Sequence, residues 1–106
     1  MSGIEKINIG NSVKRNNIKN VLGYAVKNRR GYYEQLRCVD ERRGDTLEQF
    51  RMVGFINTGH TLKSETYSIT DLGDEYYKDI FGKFSYWNKR LSGAAERFKK
   101  KLLKQI

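Results

Sequence analysis

From Asn17 onward, Ile18, Val21, Leu22, Ala25 and Val26 recur at three- and four-residue steps, the period of a helix with one apolar face. Lys27, Arg29 and Arg30 follow in its last turn before Gly31, where a helix dipole favours cations. Tyr32, Leu36 and Val39 continue the period for about two turns and predict a second helix. Asp45-Thr46-Leu47-Glu48 has the form of a capping box, with the Asp side chain taking an orphan backbone N–H and Glu48 reaching back. A third helix is therefore expected from there, with Leu47 and Phe50 inward and Gly54 at its end, since glycine tolerates positive φ. Ahead of all this, Ile4, Ile7 and Ile9 alternate before Gly10-Asn11-Ser12 and read as a short arm or edge strand.

Phe55-Ile56 opens a strand, Asn57-Thr58-Gly59-His60 supplies turn chemistry, and Glu65 to Ile69 alternates with β-favouring residues, so a β-hairpin is expected. Thr70 can cap a helix with Leu72, Tyr76 and Ile80 on one stripe, and Gly82 can end or bend it. Beyond it Phe84, Trp87, Leu91, Ala94, Ala95, Phe98 and Leu102 share one face, while Lys89, Arg90, Arg97, Lys100 and Lys104 lie on the other. A chain of this length has little core left to cover that stripe. A matching helix from a second copy is the simplest cover, making Phe84, Trp87, Leu91, Ala94, Phe98 and Leu102 the expected dimerisation residues. Phosphate binding through Lys99-Lys100-Lys101 with Lys104, a docked partner protein, or an anionic membrane under a basic amphipathic helix are the alternatives, the membrane being disfavoured. The pattern divides into an arm (1–16), a central domain (17–82) and a C-terminal amphipathic helix (83–106).

Charge turns this outline toward a partner. The chain has 21 Lys and Arg against 12 Asp and Glu, a net +9 over 106 residues, which favours a polyanion. Cys38 is the only cysteine and His60 the only histidine, so no intramolecular disulfide can form, no Cys/His metal site is expected, and no cofactor is expected. Cys38 reads as a small, buried or half-buried residue. There is no phosphate-cradling glycine loop, no Ser-His-Asp set and no Cys-His pair, so no catalysis is expected. Met1 to Asn11 lacks the apolar run of an export signal, so a cytoplasmic, nucleoid-associated location is expected.

The order helix, helix, capped helix, hairpin, helix resembles the winged helix-turn-helix DNA-binding family, in the manner of small bacterial, plasmid, phage and archaeal regulators that append a C-terminal dimerisation helix. Two motifs carry the resemblance. Leu47, Phe50, Gly54, Phe55 and Ile56 match the exit from the third helix into the wing, and Tyr67-Ser68-Ile69-Thr70-Asp71-Leu72-Gly73 matches the return strand running into the next helix. The likeness spans roughly Asn17 to Ile80. It implies an α+β, mainly α fold: three helices plus a β-hairpin wing, followed by a C-terminal amphipathic helix. Gly44 departs from the pattern, standing where the recognition helix usually begins, which implies a short or strained start.

Under this resemblance the protein binds double-stranded DNA sequence-specifically as a homodimer, as a transcriptional regulator or a plasmid or phage DNA-binding protein, and is not an enzyme. Arg42, Arg43, Thr46 and Gln49 would face a major groove, Arg reading guanine and Gln adenine. His60, Thr61 and Lys63 at the wing tip would reach the minor groove or phosphate. Lys14, Arg15, Lys19, Arg29 and Arg30 would contact phosphates. The competing readings are a protein–protein interaction module docking through the C-terminal helix, and an RNA or single-strand binder stacking bases on Tyr24, Tyr32 and Tyr33.

Overall fold

The computed structural model describes residues 12–42 and 44–104, with side chains from residue 15. The expected strand at Ile4 to Ile9, Arg43 and the Lys14 side chain lie outside the described residues. Eight elements follow in the order α1 (Ser12–Asn28), β1 (Arg30–Tyr32), α2 (Tyr33–Val39), α3 (Asp45–Val53), β2 (Ile56–His60), β3 (Glu65–Ile69), α4 (Asp71–Phe81) and α5 (Lys83–Lys104). The fold is α+β and mainly helical, with one small antiparallel sheet in the order β1-β3-β2.

α1 buries the expected face, Ile18, Val21, Leu22, Ala25 and Val26. It starts five residues before Asn17, so residues 12–16 belong to the helix and not to an arm. Nor does it run on toward Gly31. Arg29 turns left-handed at φ 70° and its N–H closes on the Ala25 carbonyl at 2.7 Å, which frees Arg30 to Tyr32 to pair with Thr66 to Ser68. A non-glycine residue in that conformation needs support. The Arg29 guanidinium has it, gripping both oxygens of the buried Asp74 carboxylate at 2.7 and 2.9 Å.

One interior gathers apolar residues from α1 to α4 and from β2 and β3, with Tyr86 alone from α5. Leu47 and Phe50 from α3, Ile56 and Tyr67 from the sheet and Tyr76 and Tyr77 from α4 are all buried, with Ile69 and Leu72 packed against them. Phe55 stands between Phe50 and Tyr76, its ring centre 5.8 and 4.5 Å from theirs. The hairpin turns later than expected. Asn57 to His60 stay in β2, paired as far as His60 with Glu65, and the reversal falls on Thr61 to Ser64. Thr70 caps α4 as expected, accepting from the Gly73 N–H at 3.1 Å.

The C-terminal helix docks on α1, and not by its apolar stripe. Tyr86 and Gly93 are its buried residues. Helix surfaces approach as closely as their smallest facing residues allow, and at Gly93 a Cβ would run into the Lys27 carbonyl. Arg97 donates to that same carbonyl at 2.9 Å, and Lys27 pairs with Glu96 at 3.0 Å. Gly93→Val is therefore expected to lift α5 from α1 and cost about 1–3 kcal/mol of stability, measured by urea unfolding. A loss below about 0.5 kcal/mol would show the contact to be dispensable.

Candidate nucleic-acid interface

α2 and α3 are joined by a short turn whose geometry depends on one carboxylate. Asp40 is buried at the end of α2. Its oxygens accept from the backbone N–H of Arg42 at 2.8 Å, Gly44 at 3.0 Å and Leu47 at 3.4 Å. Asn17 of α1 braces it from the other side. The Asn17 amide donates to Asp40 at 2.9 Å and to the Thr46 hydroxyl at 3.0 Å, while its oxygen accepts from the Glu41 N–H at 2.9 Å. Burial pushes the Asp40 carboxyl up, but these four donors outweigh it and hold the group below the usual carboxylate range.

This network replaces the capping box expected at Asp45. Gly44, at φ 108°, is the residue before the helix; Asp45 is already its first residue and makes no side-chain cap. The capping carboxylate comes from Asp40, five positions upstream, and Glu48 pairs with Arg51 at 2.6 Å. Arg51 holds the Glu48 carboxyl below its ordinary value. The glycine that departs from the family pattern thus starts the helix in a left-handed turn, and Gly54, at φ 87°, ends it in another.

Of the residues expected to face a groove, Thr46 is turned inward at 3% exposure and bonded to Asn17, so its expected outward role is corrected. Arg42, in the turn, and Gln49, on α3, are exposed. Asp45, Glu48, Arg51 and Met52 complete the outward face of α3, which therefore carries as many carboxylates as neutral contacts and is not strongly cationic. At the hairpin tip His60, Thr61 and Lys63 are exposed. The Thr61 hydroxyl accepts from the N–H of Lys63 and Ser64 at 3.3 and 3.1 Å, stiffening the reversal. Leu62 stands fully exposed at its apex, a side chain passed over in the sequence because a single apolar residue in a turn has no period.

The expected phosphate contacts divide. Arg15 and Lys19 are exposed on α1, with Arg15 donating to the Ile80 carbonyl at 3.1 Å and lying over the Phe81 ring. Arg30 is exposed on the outer sheet face. Arg29 is committed to Asp74, so it holds the fold and is corrected as a phosphate contact. On that outer face Arg30, Ser68 and Asn57 align across the strands, as do Tyr32, Thr66 and Gly59, and they line an open groove of about 510 Å³. Of the three tyrosines expected to stack bases, only Tyr32 is exposed; Tyr33 is buried and Tyr24 half-buried. No three-ring platform exists.

Cations concentrate elsewhere. α5 holds eight of the 21 Lys and Arg but only one of the 12 acidic residues, leaving 13 against 11 for the rest of the chain. The same helix leaves Phe84 (83%), Trp87, Leu91, Phe98 and Leu102 exposed, with Ala94 beside them. Cys38 is exposed, contrary to expectation. Among the described residues no three metal-ligating side chains cluster and no helix is long and apolar enough to cross a membrane. Compared with protein-family models, with curated proteins and with solved structures, the chain matches none.

Proposed function

We propose that this chain is a double-stranded DNA-binding protein of winged helix-turn-helix design that acts as a homodimer in a regulatory or DNA-organising role. The observation that carries the reading is the unit α2, Asp40-locked turn, α3, followed directly by an antiparallel hairpin whose return strand also pairs with β1. The order of helices and hairpin supports this reading, the pairing of β1 with the return strand is an addition to it, and the hairpin would serve as the wing. Arg42 and Gln49 read bases from the turn and the outer face of α3; His60, Thr61 and Lys63, with Leu62 at the tip, reach the adjacent groove or its phosphates.

The exposed α5 stripe supports pairing of two copies, which would set two such units on a two-fold site. The same stripe is what favours the competing reading, a module that docks another protein. The two part company on duplex DNA.

The test is selection from a mixed duplex pool at 50 mM salt, followed by affinity measurements on the selected site. The wild-type protein is expected to return a consensus with two-fold symmetry. Gln49→Ala is expected to relax preference at one base position per half-site, at about 1–3 kcal/mol per lost bidentate contact. Arg42→Gln is expected to do the same at a neighbouring position. A pool that yields no consensus, with Gln49→Ala binding as tightly as wild type, would end the sequence-reading role of α3.

A further inference from the structure

Beyond Gly93, every residue of α5 through Lys104 is exposed, so the last two turns and more stand clear of the body once Arg97 has closed on Lys27. Arg97, Lys100, Lys101 and Lys104 recur at three- and four-residue steps, share one side of this free end and line a groove of about 230 Å³. Stacked like charges repel along a helix, and among the described residues no carboxylate pairs with these four. Glu96, the only acid of α5, is taken by Lys27 of the neighbouring helix. A second copy paired through the apolar stripe would bring eight more cations and again only that one engaged acid.

We infer that the free end of α5, through Lys100, Lys101 and Lys104, is the principal phosphate-binding surface of the protein, used without regard to base sequence. The inference rests on the nucleic-acid reading above and relocates its electrostatic part. α3 cannot supply that part, because Asp45 and Glu48 share its outward face and Glu48 neutralises Arg51. A chain of regularly spaced phosphates fits a row of cations one helical turn apart better than an isolated anion does. Phosphates bound there would also lower the repulsion between two α5 helices brought together by their stripes, so DNA binding and self-association reinforce each other.

The test is fluorescence anisotropy of a labelled 20-base-pair duplex of mixed sequence between 50 and 300 mM salt, with the full chain and with the triple variant Lys100→Gln, Lys101→Gln, Lys104→Gln. All three side chains are exposed, so the thermal midpoint is expected to stay unchanged. The variant is expected to bind more than about tenfold more weakly at 100 mM salt, with its log–log salt slope shallower by about 2 to 3, close to one for each lost phosphate contact. Wild-type binding with a slope the variant leaves unaltered would overturn this inference alone. Failure of the wild type to bind duplex at 50 mM salt would overturn the DNA reading and this inference together. Capture by phosphatidylserine vesicles with no duplex binding would do the same and would mark the helix as a membrane-surface element.

Discussion

Asp40→Ala is expected to lower stability by about 3 kcal/mol or more, because it strips a buried acceptor from four donors at once. The N–H groups of Gly44 and Leu47 and the amide of Asn17 would be left facing one another without an oxygen between them. For a domain near 100 residues, a loss of that size moves the thermal midpoint down by roughly 12 °C or more. Asp40→Asn should recover little, since its amide hydrogens meet N–H groups. The acid side gives an independent check. The native carboxyl sits below its ordinary value, so its contribution is present above the unfolded value near ~4 and is lost as pH falls through the folded one. Urea unfolding at pH 7 and at pH 3 should therefore show the gap between wild type and Asp40→Ala shrinking in acid. A gap below about 0.5 kcal/mol at pH 7 would mean that the turn holds without this residue.

The double variant Leu91→Gln, Phe98→Gln is expected to be a stably folded monomer whose affinity for a two-fold duplex site is lower by about 100-fold or more. Both side chains are largely exposed in the single chain, so replacing them removes little internal packing. What it removes is the proposed apolar seam between copies. Two linked reading heads bind with an effective concentration far above that of free monomers, and that advantage is what the variant forfeits. Sedimentation at several protein concentrations, with anisotropy on the same duplex, separates the outcomes. A wild-type protein that stays monomeric at 100 µM with and without duplex, or a variant that still dimerises, would refute the seam.

The elements most plainly written in the sequence are those whose apolar residues keep one period against one core. Ile18 to Val26, Leu47 with Phe50, and Leu72, Tyr76 and Ile80 each present a single face, and each takes up the interior as expected. Thr70 and Gly54 act locally through a hydroxyl and a positive φ, so their roles as cap and helix end also follow from sequence. The misses share a different origin. Arg30-Gly31-Tyr32 has no strand pattern of its own and becomes β1 only because Arg29 turns left-handed and β3 offers an edge. Asp45 looked like a cap because Glu48 lies three residues on, whereas the carboxylate that caps α3 arrives from Asp40 through a turn no local pattern encodes. Thr46 reads as outward from its place at the start of a recognition-type helix, but Asn17, 29 residues away, gives its hydroxyl a buried partner. The α5 stripe was legible as apolar, but not that Gly93 would let the helix dock by a different face and leave the stripe open.

The most direct measurement of the proposed DNA-binding geometry is an amide chemical-shift titration of the labelled protein with its selected duplex. Perturbations are expected in three groups, at Arg42 and along the outer face of α3, at His60 to Ser64, and at Arg97 to Lys104. Perturbations confined to Arg30, Asn57 and Ser68 on the outer sheet face, with α3 and the hairpin tip silent, would contradict it.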